Sequence, residues 1–261
     1  MGEILFVGVG LNDERDLSLR ALDELKSVDA VFAEQYTSRL SPGSLKRLEK
    51  LIDKTVIELS REELEGEKPI LEALARNDRV ALLVAGEPFA ATTHIALRLS
   101  VENSGHKWRI LHNSSILTAA ASLVGLSHYR FGRTVSLPHP ATKGYRPSSP
   151  YEALVGNSKA GLHTLVLLDL DPLRNRYLTA ELAIRHLGSL EEEFKGGVAR
   201  PDSLLCVVSR VGSPDAAAWV GTRLELEEID FGPPLHSIIV PGPSLHFLEK
   251  EALEKWKPKR T

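Results

Sequence analysis

The sequence predicts an α/β protein carrying two α/β domains, and three observations point there. Over the first 112 residues, short apolar runs alternate with amphipathic helical stretches, which implies crossover connections and a largely parallel sheet. A proline-rich, loop-like interruption falls near residues 138–150, and strand and helix patterns resume beyond it. The chain has 261 residues, which at about 150 per domain suits one large domain or two ordinary ones. The expected division is 1–112, an N-terminal domain with a parallel sheet, and 113–261, a C-terminal domain with a mixed sheet, the boundary lying near residues 112–115.

The elements follow in order. Ile4–Val9 reads as a buried strand, and Asp16–Ser27 as a helix with apolar Leu17, Leu19, Ala21, Leu22 and Leu25. Val28–Ala33 is a strand, Ser44–Ile52 a helix and Thr55–Leu59 a strand. Pro69–Asn77 is a helix opened by proline, which the first turn tolerates because its missing N–H has no helical partner anyway. Val80–Ala85, Thr92–Asn103 and Trp108–His112 continue as strand, helix and strand. Past the interruption come a helix at Tyr151–Ala160, an apolar strand at Thr164–Leu170 and a helix at Ala180–Leu190. Gly196-Gly197 makes a turn, and strands follow at Ser203–Ser209 and Ser237–Val240. The weakly alternating segment between those two suits antiparallel strands. The basic end Lys255–Arg260 reads as solvated.

Composition removes several function classes. Lys+Arg 32 against Asp+Glu 35 gives a net charge of −3, so no global positive field holds nucleic acid through its phosphates. One cysteine, Cys206, leaves no intrachain disulfide and no Cys-rich zinc site. The start Met1-Gly-Glu-Ile puts an acid before a short apolar run, and no stretch approaches the roughly 18 apolar residues of a membrane span. A cytoplasmic location is the expectation. Gln35 is the only glutamine and Met1 the only methionine, and scarce thermolabile side chains amid many charges are the usage of hot-growing organisms, or of base-composition bias.

Three loops carry candidate chemistry. Gly8-Val-Gly10 ends the first strand, and Glu34 follows the second, as in a dinucleotide fingerprint. Asp13 occupies the third glycine position, however, and Asn12-Asp-Glu-Arg-Asp16 places negative charge where a pyrophosphate would dock. The plain reading is a glycine turn with Asp16 as helix N-cap. The second loop is Val84-Ala-Gly86-Glu87-Pro88-Phe-Ala-Ala91-Thr92-Thr93-His94, a tight turn leading to a helix capped by Thr92. It lacks a P-loop lysine, and its small residues suit a ligand read by backbone hydrogen bonds, such as a nucleoside joined to an amino acid. Glu87 is either the partner of a cationic ligand group or an ordinary loop carboxylate. The third loop, His112-Asn-Ser114-Ser115-Ile116, opens the next helical stretch, with the serines as caps or ligand contacts. No HExxH pair, no His/Cys cluster and no Gly-x-Ser-x-Gly elbow occurs, which argues against metal or serine-triad catalysis.

Five stretches in order across nearly the whole chain resemble one family. They are Phe6-Val-Gly-Val-Gly-Leu-Asn-Asp-Glu-Arg-Asp16, Val31-Phe-Ala-Glu-Gln-Tyr-Thr-Ser38, Gly86-Glu-Pro88 with Ala91-Thr-Thr-His94, Gly161-Leu-His-Thr164, and Asp230-Phe-Gly-Pro-Pro234 through His236 to Ile239-Val-Pro-Gly242. The chain is similar through them to the diphthine synthase family of tetrapyrrole-methylase-fold methyltransferases. That resemblance implies two α/β domains with S-adenosyl-L-methionine in the cleft between them, a homodimer, and no metal. It implies elongation factor 2 as protein substrate, methylated on the amino group of a histidine extended by 3-amino-3-carboxypropyl. By position, the cofactor contacts it implies are Leu11, Glu87, Ala90, Ser115, Ile116, Leu168, Val211 and His236, with no catalytic base assigned. Relatives more often carry Asp where this chain has Glu87, and another residue at Ala90. The alternatives within the fold are a tetrapyrrole methylase, for which clustered Arg would help, and a ribosomal RNA methylase, which should show a basic face; outside it stands a silent module that only binds the factor.

Overall fold

The computed structural model describes residues 1–34, 36, 38–140, 148–171 and 174–258. The contacts divide the chain into two compact units, Met1–Ile116 and Leu117–Thr261.

In the first unit, β1 (Glu3–Gly8) leads through a short 3-10 turn (Glu14–Asp16) to α1 (Leu19–Ser27), then β2 (Ala30–Glu34), α2 (Ser44–Ile52), β3 (Val56–Leu59), α3 (Arg61–Glu65), α4 (Lys68–Arg76), β4 (Arg79–Val84), α5 (Ile95–Asn103) and β5 (Lys107–Leu111). The strands form one sheet, wholly parallel, in the order β3-β2-β4-β1-β5. Because side chains alternate across a strand, the sheet buries both faces. Leu5, Val7, Ala81 and Leu83 pack with Ala21, Leu25, Leu45 and Leu48 of α1 and α2 on one side. Ile4, Phe6, Val80 and Leu82 pack with Ile70, Leu74, Leu97 and Val101 of α4 and α5 on the other. The chain leaves β1 toward β2 on one side and β4 toward β5 on the other. The loops after β1 and β4 therefore adjoin at the point where the winding reverses, where parallel sheets collect ligands.

Two caps differ from expectation. Ser18, not Asp16, caps α1, its hydroxyl accepting the N–H of Ala21. Asp16 instead turns back to receive the N–H groups of Leu11 and Asn12 on Oδ2, at 3.1 and 2.7 Å. Thr92 does not cap α5, which starts after His94; its hydroxyl donates to the Pro88 carbonyl at 2.9 Å, and Ala91 at φ 59° holds the chain out of the helix. The sequence reading also lacked α3, a five-residue helix made by the capping box of Ser60 and Glu63.

In the second unit come α6 (Ile116–Val124), whose first residue closes the first unit, a 3-10 turn (His128–Arg130), β6 (Val135–Leu137), α7 (Ser149–Lys159), β7 (Thr164–Leu168), β8 (Leu170–Asp171), β9 (Arg176–Tyr177), α8 (Ala180–Phe194), β10 (Leu204–Ser209), β11 (Ala217–Thr222), α9 (Arg223–Leu226), β12 (His236–Val240) and α10 (Phe247–Glu254). Its main sheet is mixed, in the order β11-β10-β12-β7-β6, with only the β6–β7 pair parallel. The weakly alternating segment supplies β11, antiparallel to β10. Val166, Leu168, Leu205, Val207, Ile238 and Val240 meet Tyr151, Leu154, Ile184 and Leu187 of α7 and α8 in one core. The apolar strand stops at Leu168, because Leu170 and Asp171 pair in a separate ribbon with β9. Of the proline-rich stretch, residues 141–147 lie outside the described residues, as do 259–261 of the basic end. Among the described residues no helix is long and apolar enough to cross a membrane.

Opposite motif ends meet within this unit. The N–H of Gly242 donates to His163 Nδ1 at 2.9 Å, and a Cβ on Gly242 would lie 2.8 Å from the Gly161 carbonyl oxygen. Thus the Gly161–Thr164 and Ile239–Gly242 stretches form one close contact at the start of β7. Buried Glu249 of α10 anchors the same region. It accepts the N–H groups of Ser127 and His246, pairs with Arg130, and lies 3.4 Å from His163 Nε2.

Candidate functional site

Geometry at the carboxyl ends of β1, β4 and β5 follows from two close approaches. The N–H of Gly86 donates to the Gly10 carbonyl at 2.7 Å, so the loops after β1 and β4 are tied to each other. Gly10, at φ 85°, leaves no room for a side chain: a Cβ would lie 2.3 Å from Asp16 Cβ. At Gly8 a Cβ would lie 2.6 Å from the Gly86 carbonyl oxygen and 2.7 Å from Asn113 Cβ.

The acidic loop that argued against a pyrophosphate turns its charges inward. Buried Asp13 receives the N–H groups of Arg15 and pairs with its guanidinium, which holds the carboxyl below its usual value. Buried Glu14 is also lowered: burial pushes it up, but hydrogen bonds from Arg47, its own backbone and Ser44 outweigh that. Asn12 is fixed by its carbonyl to Ser41 N–H at 2.7 Å. These acids brace the loop from within. Leu11, half-buried, sits at its start with its N–H spent on Asp16.

Glu87, also half-buried, joins two loops. One carboxylate oxygen lies 2.8 Å from His112 Nδ1, and the other accepts the Asn113 N–H at 2.9 Å. Asn113 in turn donates its side-chain amide to the carbonyls of Gly8 and Asp16, at 2.9 and 3.0 Å. A single amide thus locks the ends of β1 and β5 together, while Glu87 ties the turn after β4 to the end of β5. Sequence reasoning quoted Asn113 only as part of a loop; the signal was an amide directly after a strand end, which suits bridging between backbone groups. Ala90 donates its N–H to the Glu87 carbonyl at 3.1 Å and has too small a side chain to cover the turn. Ser115 and Ile116, both half-buried, follow two residues after Asn113. The structure therefore brings Leu11, Glu87, Ala90, Ser115 and Ile116 to one edge of the first sheet.

In the second unit, Leu168, Val211 and His236 share one edge of the mixed sheet. The register sets Ser237 against Leu167 and His236 against Ser209, so the end of β7, the start of β12 and the end of β10 adjoin. His236 is buried, and its Nδ1 accepts the Ala180 N–H at 3.2 Å. Burial lowers its pKa, so the ring is neutral and the remaining proton is on Nε2. That Nε2–H is buried with no hydrogen-bond partner among the described residues. An orphaned buried donor is costly unless something else completes it. Arg210, which the sequence reading missed, organises this edge. Its guanidinium reaches Ser209, the Phe231 and Pro233 carbonyls and Asp215, holding the segments on either side of Val211. Its signal was a cation directly after an apolar strand and two residues before Gly212.

Among the described residues no three His, Cys, Asp or Glu are grouped as a metal ion would need. Cys206 is buried in β10, and burial pushes its thiol far above the usual value.

Comparisons with known proteins agree in direction. The profile of the Tetrapyrrole (Corrin/Porphyrin) Methylases matches residues 3–227. The diphthine synthase of Methanothermobacter thermautotrophicus is 40% identical over 250 residues, covering 96% of this chain and 94% of that one. The diphthine synthase of Methanosarcina mazei is 41% identical over 257 residues, covering 97% and 95%. A crystal structure of a diphthine synthase superposes with a TM-score of 0.88 at 34% identity, covering 98% of this chain and 97% of that one. With that profile spanning both units and such identity along nearly the full length, the chain belongs to the tetrapyrrole (corrin/porphyrin) methylase family, within its diphthine synthase branch.

Proposed function

We propose that the chain methylates, with S-adenosyl-L-methionine, the amino group of the 3-amino-3-carboxypropyl-histidine of elongation factor 2, giving diphthine in diphthamide biosynthesis. The observation that carries this is the 40% identity to a diphthine synthase across 96% of the chain. The residues present fit the cofactor. Gly8 and Gly10 let the loops after β1 and β4 close on each other without intervening side chains, and buried His236 holds out an Nε2–H with no partner among the described residues. In this reading Leu11, Glu87, Ala90, Ser115 and Ile116 hold the cofactor from the first unit, the contacts at Leu11 and Ala90 being mainly main-chain. Leu168, Val211 and His236 hold it from the second.

S-adenosylmethionine supplies a methyl group already activated on a cationic sulfur, so the chain need provide neither nucleophile nor metal. Its work is to hold donor and amine in line, and positioning of this kind removes about 7–11 kcal/mol of barrier in favourable cases. The attacking amine must be neutral. A desolvated site beside a fixed cation lowers an amine's pKa by disfavouring a second positive charge. Each transfer leaves a proton to be lost before the next. No side chain is assigned as its acceptor, because His94 is buried on the Pro88 carbonyl and His112 is held by Glu87. The reading includes a homodimer, a cytoplasmic setting, and an archaeal-type end point at the trimethylated amine.

Incubation with labelled S-adenosylmethionine and precursor-bearing elongation factor 2 tests it. Label in the factor supports the enzyme, and mass spectrometry of the modified peptide counts the methyl groups. Cofactor or factor binding without label would leave a silent module, and label only in RNA or porphyrin would move the chain to another activity of the fold.

A further inference from the structure

Two loops at the candidate edge of the second unit have little apolar hold of their own. None of the residues from Val211 to Ala216, which follow β10, is buried. Ahead of β12, Gly232 and Pro233 are exposed and Pro234 and Leu235 half-buried, between buried Phe231 and buried His236. Beyond the last register pair of β10 and β12, Ser209 with His236, the N–H of Arg210 donates to the Leu235 carbonyl at 2.8 Å. Past that bond, the hydrogen bonds joining the two loops among the described residues come from one side chain. Arg210 Nη1 donates to the carbonyls of Phe231, at 3.3 Å, and Pro233, and to the Ser209 hydroxyl. Its Nε donates to Asp215 Oδ2 at 2.6 Å, and its Nη2 to the Asp215 carbonyl at 3.4 Å. Asp215 is held in turn by the Ser213 hydroxyl, which donates to Oδ1 at 2.6 Å. Gly232 makes room for the guanidinium: it stands at φ 73°, and a Cβ there would lie 3.3 Å from Nη1. Arg210 itself stands at φ 48°, a left-handed conformation that is costly for a side-chain-bearing residue and persists where its surroundings enforce it. Gly212 follows at φ 94°, so Val211 lies between two residues of positive φ.

We infer that Arg210 is a positioning residue for the methyl donor: its guanidinium clamps the Val211 loop to the approach to His236 and so fixes the spacing of those two contacts. The inference rests on the reading of Val211 and His236 as cofactor contacts. Arg210 acts through them and not on the reacting atoms. The fork is what the task requires, because a guanidinium offers five N–H groups in one plane, whereas a lysine ammonium is a single point on a flexible stem. Loops tied together before the ligand arrives need no ordering when it binds, so affinity is the quantity the clamp raises.

Two variants and one spectrum test it, with S-adenosylhomocysteine as the calorimetric probe and thermal unfolding alongside. Arg210→Asn removes the fork yet suits the backbone, because asparagine takes a positive φ more readily than most side chains. It should bind the probe about tenfold more weakly than wild type. Arg210→Lys keeps a cation that serves one loop at a time, and its affinity should fall between the two. In each folded variant the turnover at saturating cofactor should change less than the affinity. Arginine labelled with nitrogen-15 supplies a measurement on wild type alone. With both ends of its fork held, Arg210 should rotate slowly about the Nε–Cζ bond and show separate Nη resonances. Averaged Nη resonances there overturn the clamp, whether or not either variant folds. Wild-type probe affinity in folded Arg210→Asn overturns the positioning role, and so does a turnover that collapses while affinity holds. Wild-type affinity in Arg210→Lys overturns the claim for the fork. Failure of wild type itself to bind the probe would instead sink the proposed cofactor site.

Discussion

Replacing Glu249 by Gln removes one negative charge from a buried position that gathers four groups. Two backbone N–H donors, Ser127 and His246, the Arg130 guanidinium and His163 Nε2 all face this carboxylate. Its pKa is about 2 against an ordinary 4.5: burial pushes it upward, and the Ser127 and His246 N–H bonds with the neighbouring charges overcome that. At 1.36 kcal/mol per pH unit, such a lowering is about 3 kcal/mol of folding stability. The sign is that of a depressed carboxyl. The contribution is complete above the unfolded value near 4.5 and is lost as pH falls toward 2. Gln has no charge to lose, so the stability gap between wild type and Glu249→Gln should be about 3 kcal/mol at pH 7. It should narrow by about 1.4 kcal/mol at pH 3.5. Urea unfolding at both pH values, followed by the fluorescence of Trp219 and Trp256 in the same unit, measures the gap; urea does not screen the charges. A gap below 1 kcal/mol at pH 7, or one that does not change with pH, would show that the carboxylate's charge does not anchor α10 and that the reasoning from its partners is wrong.

Glu87→Gln keeps one acceptor for the Asn113 N–H but weakens the bridge to His112, so cofactor affinity should fall while single-turnover rate at saturating cofactor holds; a collapse of that rate at unchanged affinity would assign Glu87 to the chemistry. Gly10→Ala must place a Cβ against Asp16 at a positive φ, and calorimetry should find S-adenosylhomocysteine binding lost with destabilisation of roughly 2 kcal/mol or more; retained binding would show that the loop has room to spare. His236→Asn keeps an acceptor for the Ala180 N–H and deletes the Nε2 donor, so stability should stay near wild type while affinity drops about tenfold. Unchanged affinity there would mean that the orphaned donor does not meet the cofactor.

The α/β class was legible because periodicity reports which face of an element is buried. Ser44–Ile52 was bounded to the residue, since Gly43 before it and Asp53 after it stand at positive φ and stop the helix at both ends. The strand at Ile4–Val9 was displaced by one residue, because Val9 is buried like its neighbours and apolarity alone does not mark where pairing stops. The glycine loops and the Gly-Glu-Pro turn were visible as motifs, but not the function of the acids beside them. A row such as Asn12–Asp16 reads as surface charge until the fold supplies Ser41, Ser44 and Arg47 as its partners. The same holds for Glu87, whose partners lie 25 and 26 residues away on another strand's end. Local pattern depends on a residue and its near neighbours, so the sequence alone determined most of the elements, their order and the family likeness, while short elements such as α3 and β6 escaped it. Strand order is a long-range choice. Only the tertiary structure decided that β1 lies between β4 and β5, and hence that one asparagine ties three chain segments together and one buried histidine supports the turn beside them.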